Sequence, residues 1–269
     1  YDQLIAANRA ARQRTRDQED LADAADMAES ARLAYVAADY LDAARRYEQA
    51  AALAPESARH QRWLYRALSG DSFAKRGELF NEPEYLRDAV EILRAALELA
   101  PRDVAASDWA QTQNDLGIAL QILGARGDAQ AIRDSITAFR AALEVRRRAD
   151  SPAAWGDTQS NLGAALQVLG EQGDEVSLND AVLAYRAALE VRTRATYPTA
   201  WAATMNNLAT ALTRIGQLGD QAALRDGVAA YRAALEVRTR EVVPVDWAAT
   251  QNNLGVALTS LGQQGDEQA

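Results

Sequence analysis

Few side chains in this sequence can make or break bonds. His60 is the only histidine and there is no cysteine, so disulfides and thiolate metal sites are excluded. A catalytic or metal-binding histidine needs a second histidine, a cysteine or a paired carboxylate at close spacing. His60 has Arg59 and Gln61 beside it, which marks a solvated surface residue. Gly70-Asp-Ser-Phe-Ala-Lys75 lacks the second glycine of a phosphate loop and its hydroxyl residue after lysine. Gly-x-x-Gly-Asp recurs as Gly124/Gly127/Asp128, Gly170/Gly173/Asp174, Gly216/Gly219/Asp220 and Gly262/Gly265/Asp266. Its place between two periodic segments in each copy points to helix capping rather than to a phosphate or calcium site. The inventory predicts a chain that is not an enzyme, with no metal site and no cofactor.

What does recur is a set of amides and hydroxyls in a fixed frame. Trp155-Gly-Asp-Thr-Gln-Ser-Asn-Leu-Gly, Trp201-Ala-Ala-Thr-Met-Asn-Asn-Leu-Ala and Trp247-Ala-Ala-Thr-Gln-Asn-Asn-Leu-Gly are one phrase written three times. The tryptophans Trp63, Trp109, Trp155, Trp201 and Trp247 are spaced by 46 residues. A period between 20 and 50 residues marks a repeat array, whose expected work is binding along an extended surface.

One unit shows which elements hold the frame. Trp155, Leu162, Leu166 and Leu169 make an apolar stripe of helical period. Gly170 reads as a C-cap, and Gly173-Asp174 as a turn and the N-cap of a second helix. That second helix carries Leu178, Val182, Tyr185 and Leu189, runs past Arg194 and stops before Pro198, and the next first helix starts near Trp201. Gly117, Gly163, Gly255 and Ala209 beside the first stripe, with Ala142, Ala188 and Ala234 opposite, let the two helices approach closely. Trp155 is expected to be buried where repeats pack. Arg140/Glu144/Arg148, Arg186/Glu190/Arg194 and Arg232/Glu236/Arg240 read as exposed ion-pair ladders along the second helices. Glutamate interrupts each ladder, which disfavours a nucleic-acid face.

Toward the N-terminus, Ala43, Tyr47, Ala50 and Pro55 have the spacing A-x3-aromatic-x2-A-x4-P, and Ala89, Leu93, Ala96 and Pro101 repeat it with leucine. This pattern resembles the tetratricopeptide repeat, a helix-turn-helix of about 34 residues. The later, longer copies keep it as Ala181, Tyr185 and Ala188, and look like the units of kinesin light chains and of bacterial arrays joined to signalling or protease domains. The resemblance spans residues 21–269 and implies an all-α, right-handed superhelical solenoid of about five helix pairs plus the first helix of a sixth. Residues 1–20 read as a polar capping helix or the end of a linker. The chain opens without methionine and stops inside a repeat, so an excerpt of a longer protein is expected.

By the same resemblance, the first helix of each repeat lines a concave groove. A helical wheel turns Asn161, Asp157, Ser160, Ala164, Gln167 and Val168 away from the stripe. The matching sets include Asn114 and Asp115, then Asn206, Asn207, Thr210, Thr213 and Arg214, then Asn252 and Asn253. The resemblance to kinesin light chains implies that Asn161, Asn207 and Asn253 contact peptide main chain, with Asp115 a departure. An amide offers a donor and an acceptor to one peptide unit. It could equally bridge adjacent helices, and both readings stand at this point. The groove residues expected to bind are Asn114, Asn161, Gln167, Asn206, Asn207, Thr210, Arg214, Asn252 and Asn253.

The net charge of −9 disfavours nucleic acid, whose affinity rests on phosphate neutralisation. No apolar run approaches the ~20 residues of a membrane span. The expected partner is a protein or peptide, with no nucleic acid and no membrane, in the cytoplasm unless a signal lies outside this sequence. An array that senses a signal or controls a fused effector enzyme is the alternative. The final first helix, with Trp247, Leu254, Leu258 and Leu261, is expected to expose part of its stripe and self-associate through that C-terminal end.

Overall fold

The computed structural model describes residues 2–265, and these form eleven helices and no strand. Asp266 of the fourth Gly-x-x-Gly-Asp lies outside the described residues. Two compact units divide the chain. Residues 1–126 contain α1 (Asp2–Val36), α2 (Tyr40–Leu53), α3 (Arg59–Phe80), α4 (Pro83–Leu99) and α5 (Ala106–Ala125). Residues 127–269 contain α6 (Ala129–Leu143), α7 (Pro152–Glu171), α8 (Glu175–Leu189), α9 (Pro198–Gln217), α10 (Gln221–Leu235) and α11 (Pro244–Gln263).

In the first unit each helix packs on the next, and α3 also touches α5. Ala43, Ala50, Ala89, Leu93 and Ala96 are fully buried and Tyr47 nearly so, so the small-aromatic-small spacing forms the contact face of α2 and α4. α1 runs unbroken through residue 20. Its first turns are exposed, Asp17 accepts from the Ser57 hydroxyl (2.9 Å), and α1 is fully buried at Ala24 and Ala31.

In the second unit the hairpins α7–α8 and α9–α10 follow the expected order. Gly173 and Gly219 adopt φ of +111° and +118°, a left-handed turn that costs glycine nothing sterically. Asp220 then caps α10 by accepting from the Ala223 amide (3.0 Å), while Asp174 accepts instead from the Ser177 hydroxyl (3.1 Å). Gly170 is not a cap. It lies inside α7, where a Cβ would stand 2.5 Å from Leu178. Gly163 likewise receives the Tyr185 ring, 2.8 Å from where a Cβ would be. Both glycines therefore set the distance between the two helices.

Two expectations are corrected at the repeat joint. The second helices end at Leu189 and Leu235, with Glu190 and Glu236 at the C-caps, so no ladder runs on to Arg194. Arg148 pairs with Glu190, and Arg194 with Glu236, one repeat further along. The chain leaves the helix early to return to α9, which starts at Pro198, three residues before Trp201. Proline suits that first position because its missing N–H would be unpaired there anyway.

The tryptophans are not all alike. Trp155, Trp201 and Trp247 are half-buried, with the guanidinium carbons of Arg148, Arg194 and Arg240 each 5.9 Å from their ring centres. Trp63 is 7% exposed and its Nε1 donates to Thr112 Oγ1 (2.8 Å). The reason is register. Gly70 and Gly77 receive Leu93 and Leu86 as Gly163 and Gly170 receive Tyr185 and Leu178, which is 23 and 9 residues apart against 22 and 8. The α3–α4 hairpin is one residue longer, so Trp63 stands where the later repeat has Gly156 rather than Trp155.

Candidate functional site

A recurrent polar joint fixes each first helix of the second unit. Arg146, Arg192 and Arg238 donate through Nη1 to Thr158, Thr204 and Thr250 Oγ1, at 2.8, 2.9 and 3.1 Å. All three threonines are fully buried, and each hydroxyl also bonds the carbonyl four residues earlier. Arg192 further engages Asp157 Oδ1 (2.5 Å). In the first unit, Trp63 supplies the N–H that Thr112 accepts. The joint was not read from sequence, although its partners recur at a 46-residue interval and share a constant spacing of 12.

The joint holds the exposed face of the first helices in register. Since α7 touches α9 and α9 touches α11, that face is contiguous within the unit. Its asparagines fall into two rows with different surroundings. In the row of Ser160, Asn206 and Asn252, Ser160 is buried and Asn206 Oδ1 lies 3.1 Å from Thr250 Oγ1 of the following first helix, sharing the proton that the hydroxyl also directs at the Asp246 carbonyl. Asn114, the counterpart in the first unit, is 6% exposed and donates to Asp115 Oδ1 (3.3 Å), so it does not line an open surface as expected. Asn252 at the end of the row is exposed. Asn206 thus bridges two successive first helices.

The second row, Asn161, Asn207 and Asn253, is half-exposed throughout. Asn207 Oδ1 accepts from the adjacent Asn206 side chain (3.3 Å). Of the other expected residues, Gln167 Oε1 accepts from the Tyr185 hydroxyl (3.1 Å) and its Nε2 donates to Glu171 (2.8 Å). Thr210 shares a hydrogen bond with Tyr231 Oη (2.9 Å). Arg214 is exposed, with Nη1 3.4 Å from Gln217 Oε1. Burial raises the phenols of Tyr185 and Tyr231 above the ordinary tyrosine value, so both stay neutral hydrogen-bonding groups.

Thr210, Arg214 and Asn253 come together around a cleft of about 300 Å³, whose walls also include Glu171, Thr213, Gln217, Tyr231 and Val256. The cleft was not foreseen, because it forms between α9, α10 and α11. Elsewhere, His60 Nδ1 lies 3.0 Å from Asp108 Oδ2 and its ring lies against Trp63, so the histidine is paired rather than merely solvated. Among the described residues no cluster of acidic or histidine side chains could hold a metal ion, and no helix is long and apolar enough to cross a membrane.

No protein-family model and no curated protein matches this chain.

Proposed function

We propose that this chain is a protein-interaction module of tetratricopeptide type, a right-handed solenoid of helix hairpins that binds an extended peptide segment along its first helices. One observation carries the reading. Asn161, Asn207 and Asn253 recur at 46-residue intervals, half-exposed, on three helices that touch in sequence. Packed helices stand about 8–10 Å apart, which is roughly three residues of extended chain at about 3.3 Å each. An amide at each step suits every third peptide unit of such a ligand, accepting from its N–H or donating to its C=O. Ligand side chains between those steps are then free to vary. The thin inventory of bond-making groups supports binding rather than catalysis.

The test begins with recovery of a binding protein by pull-down with this chain, followed by dissection of that protein into overlapping synthetic peptides. The expected result is that one peptide of about ten residues, unstructured when free, reproduces the binding. Binding by a folded domain but by none of its peptides would overturn the reading.

A further inference from the structure

One position sets the wall of the cleft beside Asn253 apart from the same place one repeat earlier. There the Tyr185 hydroxyl donates to Gln167 Oε1, so a long amide lies over the phenol. Forty-six residues on, the same position holds Thr213, whose side chain is too short to do this. The Tyr231 hydroxyl turns to Thr210 instead, which stands where the earlier repeat has Ala164. The cleft thus has the short Thr213 where the earlier repeat has the long Gln167.

One wall carries a cation that the fold pairs with no carboxylate. Thr213, 6% exposed, lies beneath it beside the Tyr231 phenol. Arg214 has only the long contact to Gln217, whereas Arg148, Arg192 and Arg194 are each paired with a carboxylate. Glu171, the carboxylate on the cleft wall, is engaged by Gln167. Val256, 47% exposed, adds an apolar wall.

We infer that this cleft is a specificity subsite for one acidic side chain of the bound peptide. Its carboxylate meets the Arg214 guanidinium and the Asn253 amide, and its methylenes lie against Val256 and the Tyr231 ring. A guanidinium fork matches a carboxylate in geometry as well as charge. The inference rests on the groove reading above and adds register to it. The amide row tolerates varied sequences, while the cleft fixes where along them an aspartate or glutamate must stand.

A phage-displayed library of random 12-residue peptides, selected against the whole chain, tests this. Selection is run in parallel on the wild type, Arg214→Gln and Thr213→Gln. The last substitution places at 213 the residue that the earlier repeat carries as Gln167, and circular dichroism checks that each variant is folded. The expected result is an acidic residue at one fixed position in wild-type selections and at none in either variant. The consensus peptide, made synthetically, should bind either variant roughly 10-fold more weakly, as should its own amide-substituted form bind the wild type. Enriched peptides with no fixed acidic position overturn the inference and leave the groove reading intact. The same holds for an acidic preference that survives Arg214→Gln, or one met only by the peptide's terminal carboxylate. Failure to enrich any peptide overturns both.

Discussion

Arg192→Met and Thr204→Val, made singly and together, should expose the energy stored in the repeat joint. Arg192 is largely buried, its side chain 14% exposed, and its Nη1 lies 2.9 Å from Thr204 Oγ1. A hydrogen bond to a charged group contributes about 1.5–3 kcal/mol. The Asp157 partner is 58% exposed, so that ion pair adds about 1 kcal/mol or less. Arg192→Met should therefore cost about 2–4 kcal/mol. Thr204→Val should cost about 1–3, since it leaves a buried guanidinium donor unpaired. The double variant should fall short of the sum by about 1.5 kcal/mol. Urea unfolding gives the cycle, and native-state hydrogen exchange gives its location. Because contacts in an array are nearest-neighbour, protection should fall in α8 and α9 and hold in α6. Additive single effects, or a uniform loss of protection across the unit, would refute the reasoning.

Gly163→Ala places a Cβ 2.8 Å from the Tyr185 ring and should cost about 1–3 kcal/mol by overpacking, whereas Gly255→Ala, with nothing within 4 Å, should be neutral or stabilise by up to about 1 kcal/mol; thermal unfolding of the pair checks both. Trp63→Ala should cost about 3–5 kcal/mol as a buried truncation, and Trp155→Ala only about 1–2, its half-exposed ring stacking on Arg148; equal losses in chemical denaturation would contradict the register difference between them. Self-association through α11 should be weak, because Leu254 and Leu261 are already buried against α9 and α10 and the open surface is that of Gly255, Val256 and Gly262. Sedimentation should show concentration-dependent dimers that Val256→Lys removes, and dimers unaffected by that change would place the contact elsewhere.

The helical hairpins were legible because their stripes, glycines and turn residues repeat in phase, and local chemistry decides each of them. The end of the second helix was not legible. Glu190-Val-Arg-Thr-Arg194 has good helix formers, but the tertiary bond from Arg192 to Thr204 holds the chain in turns instead. Trp63 misled for a related reason: its 46-residue spacing to Trp109 survives a one-residue lengthening of the α3–α4 hairpin that only packing reveals. A helical wheel turned both asparagine rows outward together, since it holds no information about the next first helix. That neighbour separates Asn206, bonded to Thr250, from Asn207. The cleft depends on the reach of residue 213 toward a tyrosine on another helix, a distance no single-helix pattern contains.

Whether Asn161, Asn207 and Asn253 read peptide main chain is decided by one paired measurement. Each is changed to alanine, and the affinity for the selected peptide and the melting temperature are measured on the same preparation. A half-exposed amide contributes little to the fold, so melting temperatures should shift by no more than about 2 °C. Affinity should fall by about 1–2 kcal/mol per substitution, the scale of a lost hydrogen bond that leaves a partner unpaired. A marked loss of melting temperature, with affinity falling only as the protein unfolds, would make the row a bridge between repeats and contradict the account.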